Sequence, residues 1–200
     1  MNKTSLARQV AKALSPNDIF TIAGKTCNVI KYPDLSEFNS IDDIFQEGNS
    51  LYGMIRPDLP FDDDSCIILY MSKPNFGHWC TINRYRNKKG DLKRIDFLDS
   101  YGDMIDDQLE FINKDFRGIS NQLTAHLCEL LSKEKVPIHY NNIQLQAMQG
   151  GISTCGRYAA LFLKFNNLTV EKFANSLLAA SEKYKIPIDQ LVTLMTLNFS

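Results

Sequence analysis

The run CIILYM, Cys66 to Met71, is apolar without interruption and rich in strand-favouring residues, which predicts a buried central strand. From His78 the segment HWCTINRYR alternates, reaches the turn cluster NKKGD (Asn87 to Asp91) and returns as LKRIDFLDS. Two such runs around a glycine-containing turn predict a β-hairpin. Before them, residues 4–14 carry Leu6, Val10, Ala11 and Leu14 on one helical face. Between Ser15 and Asp64 the pattern is broken by prolines at 16, 33, 57 and 60, and only a short helix from Ser40 to Gln46, with Ser40 as N-cap, is legible. Leu123, Leu127, Leu130 and Leu131 predict a helix between Ser120 and Lys133, and VPIHYNNIQLQ from Val136 predicts a further strand. Three helices close the chain, over 155–166, 169–183 and 188–198, with Thr169 capping the second and Pro187 in the first turn of the third. The elements add up to one α+β domain over residues 1–200, a central and mostly antiparallel sheet packed with helices.

Composition narrows the class. The chain has 200 residues, 44% of them apolar and 22% charged, and is long enough for a sizeable core. Its formal net charge of −1 argues against a polyanion binder working by bulk electrostatics. The first twenty residues contain no continuous apolar segment of the signal-peptide type, and no run approaches the length of a membrane span. Five cysteines, Cys27, Cys66, Cys80, Cys128 and Cys155, are an odd number without framework spacing, which points to reduced thiols in an intracellular compartment. None has zinc-site spacing with a partner, so no metal site is expected from the sequence.

Four polar residues fall at the ends of predicted elements: His78 at the start of the hairpin, Asp99 at its return, Gln149 in a loop, and Cys155 at the head of an apolar helix. Antiparallel pairing brings the end of the return strand back toward His78, so Asp99 is placed to hold the imidazole ring. A cysteine at a helix N-terminus meets unpaired N–H groups and the positive end of the helix dipole, and an imidazolium lowers its pKa further. Attack on an amide builds charge on its oxygen, which the Gln149 side chain and the Cys155 N–H could receive. Gly150, Gly151 and Gly156 allow a close backbone approach to the substrate. Singly, each residue has a plainer reading: a small buried thiol, a core histidine, a turn aspartate. Their combination is what points to nucleophilic catalysis. His126 and His139 read as structural or solvated.

GHW at 77–79, LDS at 98–100 and Gln149 six residues before Cys155-Gly156 together resemble the adenovirus-protease and Ulp1-like group of cysteine peptidases. The likeness covers about residues 66–166 and keeps the order His, Asp, Gln, Cys. It implies a sheet and a helix bundle with the site between them, and the cysteine on the N-terminus of the central helix. It implies roles as well: Cys155 the nucleophile, His78 the general base, Asp99 its orienter, Gln149 the oxyanion donor, with Trp79, Gly150 and Gly151 lining the substrate groove. Substrates of the group commonly carry glycines beside the scissile bond.

The wording ISTCGRY and LDSYG looks most like the maturation proteases of virophages and large DNA viruses. That resemblance implies a protein substrate, a capsid or other structural precursor, cut in the host cytoplasm or virus factory, with the enzyme itself packaged in the virion. A deconjugase acting on a ubiquitin-like or SUMO protein is the alternative, and a bacterial effector or acetyltransferase relative a third. A non-catalytic binding module of the same fold is the non-enzymatic reading. The adenovirus enzyme resembles a strongly basic protein that uses DNA, whereas here 22 basic residues face 23 acidic ones. The basic group Arg84, Arg86, Lys88, Lys89, Lys93 and Arg94 reads as a solvated hairpin. No cofactor, no obligatory nucleic acid and no membrane are therefore expected, and the chain is expected to act as a monomer.

Overall fold

A computed structural model describes residues 3–49 and 56–197. Its centre is the buried strand β2 (Phe61–Lys73) beside the predicted hairpin of β3 (Phe76–Arg86) and β4 (Leu92–Leu98), all three paired antiparallel. Two edge strands lie parallel to their neighbours, β1 (Thr26–Lys31) on β2 and β5 (Ile138–Tyr140) on β4. The sheet is therefore mixed, in the simple order β1-β2-β3-β4-β5.

The continuous apolar run of β2 exists because both faces of the sheet are covered. Ile67 and Leu69 pack on one side with Val29 and Trp79, against α2 (Pro16–Ala23) and α5 (Cys155–Lys164). Ile68 and Tyr70 pack on the other with Cys80, Ile82, Ile95 and Phe97, beneath short 3-10 turns at 32–37 and 41–45 and the helix α4 (His126–Leu131). The outer face of α5 is in turn covered by α6 (Val170–Tyr184) and α7 (Ile188–Thr196), through Phe162, Phe173, Leu177 and Val192. Helix α5 is thus sandwiched between sheet and helices, and residues 156 to 163 of it are all buried. The remaining helices are α1 (Lys3–Val10) and α3 (Lys114–Ile119).

The α+β class and the three closing helices agree with the sequence reading; position 198 of the last one lies outside the described residues. Several boundaries differ. Helix α1 ends at Val10, and Leu14 sits in the loop that follows, buried against Trp79. The helix expected over 120–133 shrinks to α4, with Leu123 left 66% exposed. Gln122 is diverted: its side-chain amide accepts from Met71 N–H at 3.0 Å and donates to Met71 C=O at 2.9 Å, pairing a backbone unit of β2 as a neighbouring strand would. Helix α2 is an element the sequence reading left unassigned. Ser15 and Asp18 form a reciprocal capping box at its start, Pro16 opens it, and Gly24 closes it at φ 74°.

Candidate active site

Strand β3 delivers His78, the β4 exit delivers Asp99, and the first turn of α5 delivers Cys155. His78 Nε2–H donates to Asp99 Oδ1 at 2.8 Å. Asp99 is fully buried and the His78 side chain 11% exposed. The carboxylate is fixed in turn: Tyr101 N–H donates to the same Oδ1 at 2.8 Å, and Asp99 N–H donates to Asn141 Oδ1 at 2.9 Å. The Tyr101 ring stacks on the imidazole, with centroids 4.5 Å apart and planes 18° from parallel. With Nε2 held by Asp99, the other ring nitrogen is the one left for Cys155.

The electrostatics match an ion pair. Burial alone would push the Cys155 thiol up, but the hydrogen bond and charge of His78, with the Trp79 and Gly156 N–H groups, hold it below the usual thiol value. Burial likewise works against a charged His78, and the carboxylate of Asp99 outweighs it, keeping the ring protonated well above the usual imidazole range. Thr154 occupies the N-cap position of α5, but its hydroxyl is turned to Asp189 and does not cap the helix. The first N–H groups of α5 are therefore not claimed by a side-chain cap.

A cleft of about 410 Å³ runs over these groups, lined by His78, Cys155, Trp79 and Tyr101 and by the Leu14–Pro16 segment. Trp79 forms a wall of it, fixed by its indole N–H donating to Leu14 C=O at 3.1 Å. Gly156 packs under that wall: a Cβ there would lie 3.0 Å from Leu14 Cβ and 3.3 Å from Trp79 Cδ1.

His78, Asp99, Cys155 and Trp79 are thus brought together. Gln149 is not in the same wall. It is exposed, and lines with Tyr101, Gln108, Phe111 and Gly150 a second hollow that shares three of these residues with the main cleft. Gly150 and Gly151 lie with it farther along the loop, lining a third depression with Ile152. Beside Gln108, the main cleft is lined by Gln146, which the sequence reading passed over. It is buried, accepts from Ser100 Oγ at 2.8 Å and donates to Tyr101 Oη at 3.2 Å. Cys80 is the other neighbour not anticipated; it lies two residues beyond His78 on the same strand, and the period of two could have flagged it.

No family model matches the chain. A Sputnik virophage protein, called Uncharacterized protein V9, is 31% identical over 185 residues, covering 92% of this chain and 94% of that one. The chain belongs to the family of that virophage protein. Two solved structures of the ASFV pS273R protease, one with Se-Met, align over 96% of this chain and over 69% and 70% of theirs. Their TM-scores are 0.49 and 0.48, at 15% and 16% identity. Among the described residues no helix is long and apolar enough to cross a membrane.

Proposed function

We propose that the chain is a cysteine peptidase of the adenovirus-protease and Ulp1-like type, acting as a virophage maturation protease on capsid or other structural precursors at glycine-containing sites. The observation that carries the reading is the Asp99–His78 bond at 2.8 Å beside a helix-borne thiol that His78 pulls below its usual pKa. Membership of a virophage protein family supports the viral branch over the deconjugase.

In this mechanism the Cys155 thiolate attacks the scissile carbonyl carbon. His78, charged in the resting pair, gives its proton to the leaving amine, and then takes one from the water that hydrolyses the thioester. Asp99 holds the ring in one orientation throughout and stabilises its charged form. The oxyanion is received at the uncapped start of α5 and by the Gln149 amide, which makes no hydrogen bond to another described side chain and is free to swing in. Gln146 has a supporting task, since its amide is already engaged with Ser100 and Tyr101. The Trp79 and Leu14 walls favour small residues beside the scissile bond, because a side chain there competes with the indole for space.

The test is labelling by a probe ending in Gly-Gly with an aldehyde or vinyl warhead, read by mass spectrometry. Modification of Cys155 in the wild type, absent in Cys155→Ala and reduced at least tenfold in His78→Ala, is the expected result. Labelling of another cysteine, or equal labelling of Cys155 without His78, would sink the assignment.

A further inference from the structure

The peptidase chemistry uses His78 and Asp99 but gives no task to Cys80, and Cys80 is their neighbour. A ring nitrogen of His78, the Cys80 Sγ and a carboxylate oxygen of Asp99 all lie within 4.8 Å of one another. The fold imposes this. His78 and Cys80 are two apart on β3 and project from the same face of the sheet. Asp99 follows Leu98, whose register partner is Thr81, so the carboxylate comes to lie beside Cys80. Cys80 and Asp99 are fully buried. The second carboxylate oxygen, Asp99 Oδ2, is buried without a hydrogen-bond partner among the described residues. A buried carboxylate oxygen left in that state is costly, and a cation is one group that would satisfy it.

One sulfur, one imidazole nitrogen and one carboxylate oxygen form a donor set suited to a thiophilic divalent ion of tetrahedral preference. We propose that His78, Cys80 and Asp99 form a Zn²⁺ site, and that the bound ion switches the enzyme off. Tetrahedral zinc places such ligand atoms about 3.3–3.6 Å apart. Asp99 presents its unpartnered Oδ2 to the ion, with Oδ1 kept on Tyr101 N–H, so that the 2.8 Å Nε2–Oδ1 bond is given up, and Cys80 closes in by side-chain rotation. The ion takes the place of the proton between His78 Nε2 and Asp99, and Cys80 gives up its thiol proton; both protons go to solvent. Entry is through the cleft, which His78 lines.

Inhibition rests on the peptidase reading, whereas binding rests on geometry alone. With Nε2 on the metal, the one proton of the neutral ring sits on Nδ1. His78 can then neither charge to stabilise the Cys155 thiolate nor protonate a leaving amine, and Asp99 no longer orients it.

The experiment titrates Co²⁺ and then Zn²⁺ into the full chain and follows the thiolate-to-cobalt charge-transfer band. It uses wild type, Cys155→Ala, Cys80→Ala and the size-conserving Cys80→Ser, with circular dichroism to confirm the fold of each. Wild type and Cys155→Ala should show the band at one ion per chain, and zinc should bleach it. Both Cys80 variants should lose it, and the Zn²⁺ concentration halving probe labelling of Cys155, relative to each variant's own rate, should rise at least tenfold. A band that survives in a folded Cys80 variant or vanishes in Cys155→Ala would put the metal on the nucleophile and overturn the proposal, as would no band in any form. The band is read without turnover, so a catalytically silent wild type leaves the binding result intact and counts only against the peptidase reading.

Discussion

At the scale of single residues, two of the three glutamines of the loop before α5, Gln149 and Gln146, are proposed to divide chemistry from support. Gln149 is exposed with an uncommitted amide, while Gln146 is buried with both ends of its amide in use. Gln149→Ala should lower kcat on a glycine-containing peptide by about 10²-fold with little change in KM, as loss of an oxyanion donor does. Gln146→Ala should instead lower the melting temperature, because Ser100 Oγ and Tyr101 Oη lose a buried partner, at about 1–3 kcal/mol. Measuring kcat and thermal unfolding for both variants decides it; a reversed pattern would make Gln146 the donor. Asp99→Asn poses a related question. An amide oxygen can still accept from His78 Nε2–H, but the charge that holds the ring protonated is gone. Activity should fall by about 10²-fold or more, since charge as well as orientation is lost. A rate near that of the wild type would show that orientation alone suffices.

At the scale of elements, the approach of β2 to β3 beside the site depends on one glycine. A Cβ on Gly77 would lie 1.8 Å from Tyr70 C=O and 2.8 Å from Met71 Cα, both backbone atoms that cannot turn aside. Gly77→Ala should therefore cost about 3 kcal/mol or more and shift His78, the next residue, off Asp99. Chemical denaturation with the His78 imidazole resonances as a second readout tests this, and unchanged stability would mean the strands separate freely. The central hairpin was legible because alternation and the NKKGD turn are local signals, and the closing helices because their apolar periodicity is long. Strand β1 was not, since it pairs parallel with β2, a partner separated from it in sequence, and such pairing leaves no turn signal between the two. Helix α4 was read too long because a leucine spacing cannot show that Gln122 is needed at Met71. At the site, His78, Asp99 and Cys155 stood at element ends, where a linear reading can find them. Cys80 and Gln146 acquire their places only when β4 and the 141–154 loop fold back on β3.

At the scale of the whole molecule, the site depends on α5 keeping its place between the sheet and the outer helices, and α6 is tied to the sheet through charge. Arg94 on β4 donates to Glu171 Oε2 at 2.8 Å, His139 on β5 meets Oε1 at 2.9 Å, and buried Asp96 accepts the Val170 N–H that opens α6 at 2.6 Å. Burial pushes the Glu171 carboxyl up, but its own backbone N–H, the Arg94 guanidinium and the Thr169 hydroxyl together outweigh that and hold it at about 2. A carboxylate with a folded pKa below its unfolded one contributes stability that is full above the unfolded value, near 4.5, and is lost as pH falls through about 2. Glu171 is half exposed, so the contribution is that of a partly screened pair. Glu171→Gln should lower the melting temperature by about 2 °C at pH 7. The gap between variant and wild type should narrow below pH 4.5 and close near pH 2, where the wild-type carboxyl is also neutral. Adding 1 M salt at pH 7 should narrow it as well. A gap that stays constant across this range would mean that Glu171 acts through the shape of its side chain, and that α6 is held on the sheet by Phe173 and Leu177 packing alone.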